Sequence, residues 1–437
     1  MNVYDSERMF ELMAPHGYKQ ANNYRDADVI ILNTCHIREK AAEKIYSELG
    51  RIGPIKKKLS ENGKKTNIVV AGCVAQAEGK EIIRRQPIVD IVVGPQTYHK
   101  LPEFIAKISK SATSIVDTNF PVENKFDELE NNRELVNITS FLSIQEGCDK
   151  FCSFCVVPYT RGLEYSRPVD KIIEEAKILL NKGAKEICLL GQNVNAYNGL
   201  YKNMNWNLAG LIKEIANLEG LKRIRYMTSH PIDMNDDLIK AHGEIPILMP
   251  YLHLPIQSGD DEILKKMNRG YNVKLYLDII EKLRNVRNDI AFSSDFIIGF
   301  PGETEKAFKN TLKLVEDVKF AQAYSFKYSR RPGTPGSIMK LQVNEEIKSE
   351  RLNILQEILN KQQKDFNISF IGKKLQVLFE KKGRKKNQLV GKSPYLQSVF
   401  SENTNNKIGD FANLQIISAG KNSIQGELVN NKREAFN

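Results

Sequence analysis

The chain has 437 residues, of which 41% are hydrophobic, and its 64 Lys and Arg against 53 Asp and Glu leave a formal net charge of +11. That length supports two or three domains with a substantial core. No apolar run approaches a membrane span, the first residues show no basic-then-apolar export pattern, and six cysteines are too sparse for a disulfide scaffold. An integral membrane protein and a disulfide-stapled secreted module are therefore excluded, and a cytoplasmic, reducing setting is expected. The basic excess favours a polyanionic partner, with a merely solvated basic surface as the alternative. From Ser369 onward there are 12 Lys and Arg against 5 Asp and Glu, so most of the excess lies in the last sixth of the chain.

Residues 1–108 alternate helical and strand patterns. Ser6–Met13 reads as an amphipathic helix, and Ala41–Leu49 as another. Asp28–Thr34, Asn67–Gly72 and Ile88–Gly94 are short β-branched runs of the kind that form buried parallel strands. The fold class expected here is α/β, a small doubly wound domain. Cys35 and Cys73 directly follow the first two runs, at strand carboxyl ends, where open parallel sheets gather functional groups. Two such thiols either converge on one metal or are two unrelated semi-buried cysteines; position alone does not choose.

Residues 109–133 are polar and irregular and read as a linker. From 134 to 366 strand and helix patterns alternate again. Val136–Gln145 is a strand, and Val169–Asn181 a helix ended by Gly183. Further strands are expected at Glu186–Gly191, Arg223–Met227, Tyr251–Leu254, Ala291–Ile298 and Gln322–Tyr328, with helices at Leu208–Leu218, Asp260–Met267, Val273–Val286 and Glu305–Asp317. About six β-then-α units imply a parallel partial (β/α)6 barrel, open on one side. A charged helix, Asn344–Ser369, leads out of it. Residues 369–434 then carry five short alternating strands, a small five-stranded β-barrel, with the basic run Lys381-Lys382-Gly383-Arg384-Lys385-Lys386 in its first turn. That run is either a solvated loop or, as preferred here, a contact for a nucleic-acid backbone.

The densest chemistry lies in Gly147-Cys148-Asp149-Lys150-Phe151-Cys152-Ser153-Phe154-Cys155. Thiolates are soft ligands for iron–sulfur clusters, zinc and copper. A structural zinc site wants four ligands from two paired knuckles, whereas this loop offers three and stops. Three thiolates on four irons leave one iron open to the amino and carboxylate groups of S-adenosylmethionine, whose reductive cleavage yields a 5′-deoxyadenosyl radical. The alternatives are packed cysteines or part of a zinc site.

The run from Gly147 through CDKFCSFCVVPYTRGLEYSR resembles the radical S-adenosylmethionine methylthiotransferases, and among them the MiaB-type tRNA enzymes. LLGQNVNAY (Leu189–Tyr197), HLPIQSG (His253–Gly259), MNRGY (Met267–Tyr271), SDFIIGFPGET (Ser294–Thr304), the opening MNVYDSERM and the GCVAQ around Cys73 match the same type. The resemblance spans nearly the whole chain. It implies an N-terminal methylthiotransferase domain, a radical core and a C-terminal TRAM barrel gripping tRNA. The implied reaction replaces the hydrogen on carbon 2 of isopentenyladenosine, next to the anticodon, with a methylthio group. It uses two S-adenosylmethionine molecules and two 4Fe–4S clusters. By the same resemblance Cys148, Cys152 and Cys155 hold the radical cluster, and Cys35 and Cys73 the auxiliary one. Gly191, Gln192, Asn193 and Asp295 lie where the core meets the cofactor. Glu303 is a ribose or amino contact or a helix-start carboxylate. Arg161 and Arg225 are candidates for cofactor or phosphate contact, weighed against surface ion pairs. The implied partners are the tRNA anticodon stem-loop and a reductant such as flavodoxin or ferredoxin, with the chain acting as a monomer.

One departure stands out. The family carries a third auxiliary cysteine in a Gly-Cys-Gln sequence just before Met-Asn, and this chain begins at Met1-Asn2. The expectation is a start placed too far downstream, with an enzyme that makes the radical without inserting sulfur as the alternative. Cys188, inside an apolar strand, reads as packing. Two rival functions are a methylthiotransferase for another tRNA adenosine and an RNA-binding protein with a structural metal.

Overall fold

A computed structural model describes residues 1–35, 39–111, 113–121, 125–129, 133, 136–402 and 404–429, with side chains 39–42 outside the description. The expected limits at 134 and 434 lie outside the described residues, as do parts of the stretch 109–133.

The β-branched runs near the start become strands β1 (Val29–Thr34), β2 (Asn67–Gly72) and β3 (Ile91–Val93), joined by β4 (Ile115–Asp117) in one parallel sheet of order β1-β2-β3-β4. Every residue of β2 is buried, as a strand covered on both faces requires. Val69 and Ala71 face Met9, Leu101 and Phe104 of helices Asn2–Met13 and Leu101–Lys110. Ile68 and Val70 face the opposite way, toward Leu49, Ile52 and Val74 of helices Glu39–Glu61 and Cys73–Glu78. Helices thus cover both faces, as a doubly wound domain demands. The stretch 109–133 is not a free tether: it supplies β4, and the side chains of Lys125 and Arg133 are fully buried. Its polar composition conceals this because both cations are paired. Lys125 Nζ lies 2.7 Å from Glu146, and Arg133 donates to Glu175 at 2.6 Å and Glu11 at 3.1 Å.

The core follows with β5 (Thr139–Ser143), a short antiparallel pair β6 (Gln145–Glu146) and β7 (Tyr165–Ser166), then β8 (Glu186–Leu190), an unexpected hairpin β9 (Asn198–Tyr201) and β10 (Met204–Asn207), β11 (Arg223–Met227), β12 (Tyr251–His253), β13 (Ala291–Ile298) and β14 (Gln322–Lys327). The parallel strands form two arcs, β11-β8-β5 and β12-β13-β14, linked by a bridge from Ile224 to Leu248. They make a six-stranded partial barrel with β5 and β14 at its free edges. Its helices start where the sequence places a capping side chain: Asn207, Asn272 and Thr304 each accept a hydrogen bond from the backbone N–H three residues on.

Helix Glu345–Ile368 leads to a closed barrel of β15 (Lys374–Lys382), β16 (Leu389–Lys392), β17 (Ser398–Ser401), β18 (Phe411–Ala419) and β19 (Ile424–Leu428). The barrel is bolted to the core through a buried triad. Glu186 accepts from Arg225 Nε at 2.9 Å, while Arg225 donates to the carbonyls of Ser393 and Pro394 at 2.8 Å each. Arg223 donates to the carbonyls of Lys392 (3.0 Å) and Gln376 (2.6 Å). Arg225 is therefore neither a cofactor or phosphate contact nor a surface ion pair. It is a buried strut between domains, engaged on all three nitrogens.

Candidate active site

The cysteine loop emerges from β6 at the carboxyl ends of β5 and β8. Gly147 opens it at φ +77°, and a Cβ there would stand 1.9 Å from the Leu163 carbonyl oxygen. Only glycine fits so close an approach. Gly147→Ala is expected to cost about 2–5 kcal/mol through strain and overlap, read as a lowered denaturant midpoint at unchanged slope.

The residues expected to meet the cofactor first of all hold this loop. Gln192 Oε1 accepts from Gly147 N (2.7 Å), and Gln145 Nε2 donates to the Gly147 carbonyl (2.8 Å). Gln145 Oε1 accepts from the backbones of Gln192 (2.9 Å) and Asn193 (3.2 Å). It sits so close that a Cβ on Gly191 would meet it at 2.4 Å. Asn193 Nδ2 donates to Asp233 (2.8 Å), and its Oδ1 is buried with no hydrogen bond among the described residues.

From the far side the MNRGY segment grips the same loop, a role its sequence did not disclose. The Met267 carbonyl accepts from Ser153 N (3.0 Å), Asn268 Nδ2 donates to the carbonyls of Lys150 and Phe151 (3.2 and 3.1 Å), and Arg269 Nη1 donates to Cys152 Sγ (3.4 Å). Cys155 Sγ accepts from Val157 N at 3.5 Å. Burial pushes the Cys148 thiol up to about 11 and the Cys155 thiol to about 12, and the Cys152 charge adds to both. Without metal the Cys148 and Cys155 thiols hold their protons at neutral pH, and metal loading must release them. Among the described residues no three His, Cys, Asp or Glu side chains close on a single ion. The loop suits a multi-iron group better than a lone zinc: three thiols and, among the described residues, no fourth ligand, with an N–H donor aimed at each sulfur.

Asp295, on β13, lies 3.5 Å from His253 Nε2, and His253 Nδ1 in turn meets Ser293 Oγ at 2.9 Å. Glu303 is buried just before helix Glu305–Val318, whose N-cap is Thr304, and accepts from Arg351 at 2.8 Å, so its partner in the structure is a protein cation. Beside the loop, burial together with Asp149 and Asp233 lifts the Glu164 carboxyl to about 7.

In the N-terminal sheet, Thr34 pairs in register with Gly72, so Cys35 and Cys73 leave neighbouring strands side by side. Cys73 is buried and Cys35 half-buried. Arg161 Nε donates to Cys73 Sγ at 3.4 Å, and the other guanidinium nitrogens reach Asp5 and Glu146 at 2.6 Å each. Arg161 is thus no surface residue. It ends helix Val157–Arg161, whose first residue donates to Cys155 Sγ, so a helix rising only ~6 Å joins the two thiol sets. Cys188 is buried in β8 against Tyr4 and Leu190, as packing requires.

Three family models match the chain: the uncharacterized protein family UPF0004 over residues 1–94, the radical SAM superfamily over 142–315 and the TRAM domain over 369–429. A tRNA-2-methylthio-N(6)-dimethylallyladenosine synthase of Maricaulis maris is 54% identical over 440 residues, covering 100% of this chain and 96% of that protein. Synthases of the same name from a Wolbachia of Brugia malayi (56% over 430 residues) and from Agrobacterium fabrum (54% over 434) cover 98% of this chain and 96% and 95% of their own. The chain belongs to this synthase family. The radical S-adenosylmethionine methyltransferase TsrM of Kitasatospora setae, solved with cobalamin and a 4Fe–4S cluster, superposes with a TM-score of 0.56 at 13% identity over 77% of this chain and 74% of its own. The S-adenosylmethionine radical enzyme OxsB superposes with a TM-score of 0.53 at 13% identity over 82% of this chain and 53% of its own. Those two likenesses concern the fold. Family membership makes this chain a radical S-adenosylmethionine enzyme that transfers a sulfur-containing group.

Proposed function

We propose that this chain inserts a methylthio group at carbon 2 of N6-dimethylallyladenosine in tRNA, beside the anticodon. Near-full-length identity of 54–56% to synthases named for that product carries the proposal. In this reading Cys148, Cys152 and Cys155 hold one 4Fe–4S cluster and Cys35 and Cys73 contribute to a second. When bound, these groups and S-adenosylmethionine supply the radical that attacks an unactivated C–H bond and the sulfur that replaces its hydrogen. The chain's own residues do the rest. Gln145, Gln192 and the Met267–Arg269 segment hold the thiol loop in one shape. Asp295, Glu303, Gly191, Gln192 and Asn193 line the strand ends where the cofactor enters. The open edge between β5 and β14 admits the base, which leaves its stack most cheaply from a single-stranded loop.

The units proposed are 1–108, a connecting stretch 109–133, 134–366 and 369–434. A low-potential donor such as flavodoxin or ferredoxin supplies electrons, and the chain works as a monomer in the cytoplasm. Among the described residues no helix is long and apolar enough to cross a membrane.

The experiment is anaerobic reconstitution with iron and sulfide, followed by incubation with S-adenosylmethionine, dithionite and tRNA bearing N6-dimethylallyladenosine. Mass spectrometry of the digested nucleosides is expected to show the 2-methylthio product. Deoxyadenosine without any methylthio nucleoside would favour a chain that makes the radical but inserts no sulfur.

The basic turn between β15 and β16 is exposed, and among its cations Lys385 is paired to Glu402 at 2.8 Å. Replacing Lys381, Lys382, Arg384 and Lys386 by Gln is expected to weaken tRNA binding. The slope of log K against log salt should fall by up to ~3.6, at ~0.7–0.9 for each phosphate that is no longer neutralised. A salt titration of tRNA binding measures it.

A further inference from the structure

We propose that Arg269 is a positioning residue that sets the reduction potential of the group held by Cys148, Cys152 and Cys155, keeping it above the value three bare thiolates would give. The inference rests on the assignment of that loop as an iron–sulfur site.

Arg269 is buried, and each arm of its guanidinium is committed. Nη1 donates to Cys152 Sγ (3.4 Å), Nε to the Tyr271 hydroxyl (2.9 Å) and Nη2 to the Pro255 carbonyl (2.8 Å). The last two bonds fix the plane of the fork and so aim the first at sulfur. None of the three partners is a carboxylate, and no ion pair to Arg269 occurs among the described residues. The aromatic ring of Tyr271 lies 5.3 Å from the guanidinium carbon, and His230 packs edge-on to that ring. The cation next to Cys152 is therefore not cancelled locally.

The second thiol set provides an internal contrast. Arg161 makes the same kind of bond to Cys73 Sγ at the same 3.4 Å, but two carboxylates at 2.6 Å each neutralise it. One sulfur receives a hydrogen bond and a net charge; the other receives a hydrogen bond alone. Hydrogen bonds to ligating sulfurs and local charge are among the levers that set a cluster's potential, and a buried charge is poorly screened. Reduction adds one electron from an external donor, dithionite in the test, with no bond made or broken at sulfur. The guanidinium stabilises the added negative charge and so favours the reduced form at the loop.

The test is an EPR-monitored redox titration of the reconstituted full chain, with R269Q and R269K beside it, repeated in a Cys35→Ala/Cys73→Ala background to isolate the loop's signal. R269Q is expected to lower the potential by at least the equivalent of a tenfold change in the reduction equilibrium, ~59 mV for a one-electron couple, with iron and sulfide content retained. R269K, which keeps a cation but loses the planar bond, should shift less in the same direction. A fully loaded R269Q with the parent potential overturns the proposal while leaving the loop assignment intact. If R269Q does not hold iron, R269K decides: an unshifted potential overturns the proposal and a negative shift supports it. Iron content and spectrum unaffected by Cys152→Ala in that same background would overturn proposal and assignment together.

Discussion

Cys152→Ala protein, reconstituted anaerobically, is expected to release 5′-deoxyadenosine from S-adenosylmethionine only at the background rate. Of the three loop cysteines, Cys152 is the least exposed, and its sulfur accepts a hydrogen bond from the Arg269 guanidinium at 3.4 Å. Cys188→Ala is the matched control. It removes an equally buried sulfur from β8, at about 1 kcal/mol of packing, and should leave deoxyadenosine formation untouched. The backbone of the loop depends on Gln145, Gln192 and Met267 and not on the Cys152 sulfur, so the variant keeps its fold. Chromatographic assay of deoxyadenosine, with circular dichroism as the folding control, checks both. Parent-level product from Cys152→Ala would remove the loop from the chemistry.

The second large effect concerns stability. Arg161→Met is expected to lower unfolding stability by about 3–5 kcal/mol, a large share of the 5–15 kcal/mol usual for a domain. The substitution leaves Asp5 and Glu146 buried across a domain boundary with Lys125, at 4.0 and 2.7 Å, as their shared ion-pair partner. Denaturant titration measures the loss, and Asp5→Asn in the same chain should recover part of it. The pH dependence has a definite sign. Burial alone would raise the Asp5 carboxyl, but the charges of Arg161 and then Lys125 outweigh it and hold the carboxyl below the usual range. A depressed folded value means stability is present above the unfolded value, near ~4, and is lost as pH falls through the folded one. The parent chain should therefore weaken steeply below about pH 4. Arg161→Met should show a shallower acid limb, because the positive charges that remain depress Asp5 less.

Much of the architecture was legible in the chain. Helices Val169–Asn181 and Val273–Val286 and strands Arg223–Met227 and Ala291–Ile298 fall where apolar periodicity put them. The period of a half-buried helix or a doubly covered strand is written in neighbouring residues. The hairpin β9–β10 and helix Asp236–Glu244 were missed. The first mixes Asn, Gly and Tyr without alternation, and the second is only nine residues long, although Asn235 caps it and two aspartates open it. The stretch 109–133 misled for another reason: its polar side chains satisfy buried carboxylates instead of water.

The chain alone determined the element types, the three-cysteine loop and its glycine entry, and the basic bias of the last barrel. Each depends on spacing within a few residues. The tertiary structure decided what the buried cations do. Arg161 meets Cys73 across 88 residues, Arg269 meets Cys152 across 117 and Arg351 meets Glu303 across 48. An arginine has the same local pattern whether solvated, spanning two domains or aimed at a sulfur. Only the packing that removes its water and chooses its partner tells these apart.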